Sequence, residues 1–317
     1  MAKPLVLVDV PLLPFMQQQV VAFCETRAWN VLEGGDANQL QEIQGIYSCA
    51  HPRVDGPLMD RLPSLKVISN FGVGVDHIDL RAAAARKIPV GNTPGAVDGA
   101  TADLTMALLL AAARNVVAGD RYARGPEFTS YDPGHLLGWE VFGSILGIVG
   151  MGRVGRQVAK RARAFDMRVL YHNRRRNPEA EAALEVEYAS LDALLAQSHF
   201  VTLNVPLTPE TTHLIGKTEL RKMRPDGILI NVARGPVVDH EALHRALKEK
   251  WIAAAAVDVT EPEPLPRDHP LLSLDNIVVT PHLGSATTRT RIRMGEMAAA
   301  NLAAGLQGTV LPHQVSV

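Results

Sequence analysis

The sequence predicts an α/β protein of two domains, each built on a doubly wound parallel sheet, and three observations predict it. The chain has 317 residues, about two domains at roughly 150 residues each. Short β-branched runs alternate with helical patterns, the rhythm of successive βαβ units. Those runs are apolar at consecutive positions rather than at every second one, as strands covered by helices on both faces are.

In order, the strand runs are Leu5 to Val10, Ile46 to Cys49, Val67 to Ser69, Ile145 to Val149, Val169 to Tyr171, Phe200 to Val205, Ile228 to Val232 and Ile277 to Thr280. Ala100 to Arg114 reads as a helix, with Leu104, Leu108 and Ala111 on one stripe and Leu109 and Leu110 widening it into a face that should be buried, as between domains. Thr287 to Leu306 reads as a last helix, with Met294, Met297, Ala298 and Leu302 on one side. The turn Gly91-Asn92-Thr93-Pro94-Gly95 precedes the first domain boundary near Asp98, and a second boundary falls near Gly284. Residues 1–98 and 285–317 would then form one domain and 99–284 the other.

Composition narrows the function. With 47% hydrophobic and 21% charged residues the chain is neither disordered nor fibrous. A formal net charge of −1 supplies no field towards nucleic acid or an anionic membrane. Cys24 and Cys49 form no CxxC pair, so reduced core thiols are expected. The first residues, Met-Ala-Lys-Pro-Leu-Val-Leu-Val, are too short an apolar stretch for a signal peptide, and no run approaches the roughly 18 residues of a membrane span. A cytoplasmic protein is expected.

Gly150-Met151-Gly152-Arg153-Val154-Gly155 follows one strand and opens the helical pattern Arg156 to Phe165, the context that lifts GxGxxG above a mere tight turn. The first glycine permits the turn, the second admits a pyrophosphate, the third lets helix pack on strand, and the helix N-terminus attracts phosphate. After the next strand, where an acidic residue would hold the adenine-ribose hydroxyls of NAD, Asn173 stands instead, followed by Arg174, Arg175 and Arg176. Guanidinium groups without a carboxylate suit a 2′-phosphate, so NADP(H) is preferred and NAD(H) remains open; a solvated loop is the plain alternative.

Asn231 to Gly235, Val257 to Pro264 and Thr280 to Ser285 follow later strands, at the carboxyl edge where such sheets bind ligands. Together they bring an arginine, a carboxylate and a histidine, a set able to reduce a 2-keto acid, although an arginine after a strand is by itself more often an ion pair. Arg234 would fork onto the substrate carboxylate, and His282 would protonate the carbonyl oxygen as hydride arrives. Glu263 would orient the imidazole and favour its protonated form. His240-Glu241-Ala242-Leu243-His244 matches the zinc-protease pattern HExxH. On a helix from Asp239 to Lys250 its histidines would share a solvated face with Lys248, opposite Ala242, Leu243, Ala246 and Leu247, and no third ligand is evident, so no metal is expected.

Over nearly its whole length the chain resembles the D-isomer-specific 2-hydroxyacid dehydrogenases, and among them the glyoxylate/hydroxypyruvate reductases. The resemblance is carried by Asn70 to Asp79, Asn92 to Gly95, Gly147 to Gly155, Asn204 to Thr211, Asn231 to Gly235, Asp258 to Pro266 with His269 to Leu272, and Pro281 to Ser285. It implies a flavodoxin-like substrate domain and a Rossmann NAD(P)-binding domain with an interdomain cleft. It implies the catalytic set Arg234, Glu263 and His282, with the Val73 and Gly74 amides on the substrate carboxylate. Cofactor contacts are implied at Gly150, Gly152, Arg153, Val154, Gly155, Val205, Pro206, Val232, Ala233, Arg234, Asp258, His282, Gly284 and Ser285, besides residues 173–176. A homodimer through the nucleotide-binding domains is also implied. Where some relatives carry a tryptophan before the glycine strand, this chain has Pro133-Gly134-His135-Leu136, which makes His135 a candidate for tuning substrate choice. Other readings are 2-ketogluconate or hydroxyphenylpyruvate reduction and, from a different class, a catalytically silent nucleotide-sensing corepressor.

Overall fold

The computed structural model describes residues 3–34 and 37–316. They divide into two units, Met1–Val97 with Thr287–Val317, and Asp98–Ala286. The strands are β1 Leu5–Val8, β2 Glu25–Ala28, β3 Ile43–Ser48, β4 Val67–Asn70, β5 Val90–Gly91, β6 Ile145–Val149, β7 Arg168–His172, β8 Glu187–Tyr188, β9 Phe200–Leu203, β10 Ile228–Asn231, β11 Ala254–Val257 and β12 Ile277–Val279. Sheet order is β2-β1-β3-β4-β5 in the first unit and β12-β11-β10-β9-β6-β7-β8 in the second. Every named pair is parallel. The first order has its reversal beside β1, and the second is the dinucleotide-binding order with its reversal between β6 and β9.

Consecutive apolar residues exist because both faces of each sheet are packed. On the larger sheet Leu146, Ile148, Ile228, Ile230, Ala254 and Ala256 enter one core, and Val149, Leu229, Ala255 and Val257 enter the other. The smaller sheet divides likewise, Val6, Val8 and Val67 on one side and Leu7, Ile46, Ile68 and Val90 on the other. Burying one such Leu or Ile contributes about 1.5–3 kcal/mol.

Three helices supply the facing layers that matter below. The helix Asp98–Ala113 buries Ala102, Met106, Leu109 and Ala113 in the first of those cores. The helix His240–Lys248, capped by Asp239, buries Ala242, Leu243, Ala246 and Leu247 in the second. In the smaller unit Thr288–Leu306, capped by Thr287, buries Met294, Ala298 and Leu302.

Several expected bounds shift. The glycine-turn helix is Arg153–Ala162, closing in the 3-10 turn Arg163–Phe165, so it starts inside the fingerprint because Gly152 is already its N-cap. Among the described residues no single helix is long and apolar enough to cross a membrane. Cys24 and Cys49 are free, and burial pushes the Cys24 thiol up to about 11.

Candidate functional site

The carboxyl ends of β6, β7, β10, β11 and β12 carry the residues of interest in the larger unit. At the end of β6, Gly150 has φ of 103°, a conformation that disfavours any side chain, and a Cβ there would come within 2.7 Å of the Asn204 carbonyl. A Cβ at Gly155 would overlap the Gly150 carbonyl, so the helix packs on the turn only through glycine. Gly152 faces open space, with nothing within 4 Å of its notional Cβ. An open glycine at a helix N-terminus, with N–H groups pointing outwards, is the cradle a pyrophosphate requires. The cradle fits a dinucleotide.

Asn173 accepts the Met151 N–H at 2.7 Å, tying the end of β7 to the glycine turn. Arg174 and Arg175 are exposed and make no ion pair among the described residues. Arg176 is committed elsewhere. Its guanidinium grips Glu181 at 2.6 Å, and Tyr171 donates to the same carboxylate at 2.6 Å. The Arg176 hydrogen bond, seconded by Tyr171, holds the Glu181 carboxyl below the ordinary carboxylate range. Of the three adjacent arginines, Arg176 is thus in an ion pair with the carboxylate five residues on. Arg153 is likewise paired, with Asp98 at 3.1 Å.

Arg234 follows β10 on a turn locked by buried Asn231, which donates to the Arg234 carbonyl at 2.9 Å and accepts the Ala233 N–H at 3.0 Å. The next residue is Gly235, where a Cβ would overlap the Thr260 carbonyl. Only glycine lets the Arg234 turn touch the turn that carries Glu263. Gly235→Ala is expected to cost about 1–3 kcal/mol by overpacking, a fall of several degrees in Tm, and about a tenfold loss of turnover as the two turns part. Thermal melting with initial rates checks this, and wild-type values for both would contradict the contact.

His282 stands with φ of 56°, a left-handed backbone held in place by Asp258. That carboxylate, 2% exposed, accepts Thr280 Oγ1 at 2.6 Å, the Leu283 N–H at 2.7 Å and the Gly284 N–H at 2.8 Å, while its backbone carbonyl accepts the His282 N–H at 2.9 Å. Thr101 adds a bond to the Gly284 carbonyl at 3.1 Å. Asp258 is expected among the cofactor contacts, and both its carboxylate oxygens accept hydrogen bonds from the His282 turn. The clamp spans more than 20 residues of chain and leaves no local signal.

With the backbone fixed, His282 Nδ1 meets Glu263 Oε1 at 2.6 Å. The second Glu263 oxygen accepts the Thr260 N–H at 3.3 Å. A carboxylate at this distance favours the tautomer with its hydrogen on Nδ1. Val232 and Ala233 lie on the Arg234 turn and Gly284 and Ser285 on the His282 turn, so these expected contacts flank the same sheet edge; Val205 and Pro206 follow β9 beside the glycine turn. Val154 packs against the core from the glycine-turn helix.

In the smaller unit, Val73 and Gly74 occupy a turn after β4 whose carbonyls are pinned. Asn70 donates to the Gly72 and Gly74 carbonyls at 2.9 and 2.8 Å, and Asn92 to that of Val73 at 2.8 Å. Neither the Val73 nor the Gly74 N–H has an acceptor among the described residues. Two adjacent donors so presented suit a carboxylate. His135 packs on Tyr122, ring centroids 4.2 Å apart, in its own exposed loop.

The HExxH pair departs from expectation. His240 is buried, because its ring turns from solvent onto the Glu261 backbone, with Nδ1 3.0 Å from the carbonyl oxygen. His244 stays partly exposed. Among the described residues no group of three or more His, Cys, Asp or Glu stands where it could hold a metal ion.

A family description, D-isomer specific 2-hydroxyacid dehydrogenase, NAD binding domain, matches residues 106–284. The chain is 47% identical over 279 residues to a glyoxylate reductase of Korarchaeum cryptofilum, covering 88% of this chain and 84% of that protein. It is 42% identical to one of Aeropyrum pernix, covering 100% and 97%. Among solved structures, an NADPH-dependent glyoxylate/hydroxypyruvate reductase of Sinorhizobium meliloti, in complex with NADP and malonate, aligns with a TM-score of 0.89 at 31% identity, covering 99% of this chain and 97% of that one.

Proposed function

This chain belongs to the D-isomer specific 2-hydroxyacid dehydrogenases and is a nicotinamide-dependent dehydrogenase; from that membership we propose that it reduces glyoxylate to glycolate and hydroxypyruvate to D-glycerate, with NADPH preferred. The observation that carries the reading is the His282–Glu263 pair at 2.6 Å, beside the Arg234 turn and on the sheet edge that also bears the glycine cradle.

Gly150, Gly152, Gly155 and the helix N-terminus would hold the pyrophosphate, and Arg174 and Arg175 the 2′-phosphate. When bound, the cofactor supplies a hydride. Arg234 forks onto the substrate carboxylate and polarises the neighbouring carbonyl, and the Val73 and Gly74 amides of the smaller unit are proposed as donors to a carboxylate. His282 delivers the proton from Nε2 to the carbonyl oxygen. Glu263, bonded to Nδ1, keeps the ring in register. Asp258 holds the turn on which His282 stands and lies beside Gly284 and Ser285, the expected nicotinamide neighbours.

A preference for NADPH is supported by Asn173 in place of a carboxylate and by the exposed Arg174 and Arg175 beside it. The homodimer expected of the resemblance is supported by exposed Tyr131, Leu137 and Phe142, 84%, 73% and 65% accessible, since large apolar groups crowded in one segment mark a contact surface. A dimeric mass in sedimentation checks it. Initial rates with glyoxylate, hydroxypyruvate, 2-ketogluconate and hydroxyphenylpyruvate test the substrate class. The two small acids are expected to dominate; turnover of none, with nucleotide still bound, would favour the corepressor reading.

A further inference from the structure

We propose that His240, outside the reacting set, is a positioning residue for Glu263: its imidazole holds the Glu261 backbone and so fixes the turn that aims the Glu263 carboxylate at His282. The inference rests on the catalytic reading given above.

The segment Glu261-Pro262-Glu263-Pro264 has two prolines and hence two missing backbone donors. It cannot be held by a backbone ladder, so side chains must anchor it. Thr260 Oγ1 donates to the Pro262 carbonyl at 2.9 Å. His213 meets the Glu261 side chain at 3.3 Å, but both groups are about half exposed, and such a pair holds little. His240 is the buried anchor. Its Nδ1 lies 3.0 Å from the Glu261 carbonyl oxygen and 3.1 Å from the Glu261 amide nitrogen, so either neutral tautomer makes one bond to that backbone.

The anchor is also stiff. His240 opens the helix His240–Lys248, which is capped by Asp239 and seated in the core through four apolar residues. The His269 ring packs edge-on against it at 6.4 Å. The other ring nitrogen, Nε2, is buried with no hydrogen-bond partner among the described residues. An unpartnered buried polar atom costs free energy, and a position needed only for packing would be filled by an apolar side chain at no such cost. The bond from Nδ1 is what the imidazole contributes. Asp239, Glu261 and His269 are the titratable groups around it, and burial holds the imidazole below its ordinary range, so it works as a neutral hydrogen-bonding group. Glu263 lies two residues beyond the held backbone, and its carboxylate reaches His282 at 2.6 Å.

The test is a double-mutant cycle on the full chain, reading kcat and KM for hydroxypyruvate with NADPH and the NADPH Kd by fluorescence titration. His240→Leu is expected to lower kcat about tenfold with NADPH affinity within about twofold. His240→Asn restores most of the rate, since its amide reaches the Glu261 backbone from the same place. In a Glu263→Gln background the leucine substitution costs less than about twofold, because the route through Glu263 is already cut. Equal losses in both backgrounds, or an asparagine variant as slow as the leucine one, would overturn the inference alone. Wild-type turnover by Glu263→Gln would overturn the catalytic reading and the inference with it. If the leucine variant does not fold, His240→Gln, whose amide sits one methylene too far out, runs the same cycle with the same expectations.

Discussion

His282→Ala is expected to lower turnover of hydroxypyruvate by roughly 10²–10⁴-fold, the usual contribution of a positioned proton donor, while NADPH binding stays nearly unchanged. The asymmetry follows from where the groups stand. The pyrophosphate cradle at Gly150–Gly155 and the arginines at the end of β7 are built by other strands, and removing an imidazole at the end of β12 leaves them intact. The Asp258 clamp acts on backbone groups and one threonine, so the turn keeps its shape in the alanine variant. The loss should therefore appear in kcat and not in the dissociation constant of the nucleotide. Single-turnover rates with a parallel binding titration read the two separately, and turnover within about threefold of wild type would remove His282 as the donor.

Replacing Arg174 and Arg175 together with serine should lower kcat/KM for NADPH about 100-fold, the size expected when two charge-assisted contacts to one phosphate are lost. NADH, lacking that phosphate, should change by less than about threefold. The prediction leans on the structure more than on the sequence, because three adjacent arginines look equivalent until Arg176 is seen locked to Glu181. Substituting Arg176 alone should spare cofactor choice. Equal losses for both cofactors in the double variant would mean that these arginines do not read the 2′-phosphate.

The parts of the fold legible in the sequence are those with local causes. Valine and isoleucine runs mark β1, β6 and β10 because a strand buried on both faces needs apolar side chains on each. The same rule hides β11, whose Ala254, Ala255 and Ala256 are equally buried but favour helices by propensity. β2, Glu-Thr-Arg-Ala at a sheet edge, has no apolar signal because its side chains lie largely in water. The glycine fingerprint is legible because turn, approach and packing each forbid a Cβ at a fixed spacing. Arg234, Glu263 and His282 are individually unremarkable and become readable only as a set behind that fingerprint.

What the sequence hides is tertiary. Asp258 binds groups more than 20 residues away, and nothing near it announces that its oxygens shape the His282 turn. His240 looks solvated on a helical wheel since the histidine spacing matches Lys248, yet as the helix's first residue it faces a turn the wheel does not contain. Gly235 stands in the sequence only as the end of the segment Asn231 to Gly235, whereas in the structure it lets two turns touch, because a Cβ there would overlap the Thr260 carbonyl.

The most direct test of the account is the initial rate of cofactor oxidation with hydroxypyruvate, run side by side with NADPH and NADH at equal concentration. The account predicts rapid turnover with NADPH and much slower turnover with NADH. Faster turnover with NADH, or none with either cofactor while both still bind, would contradict it.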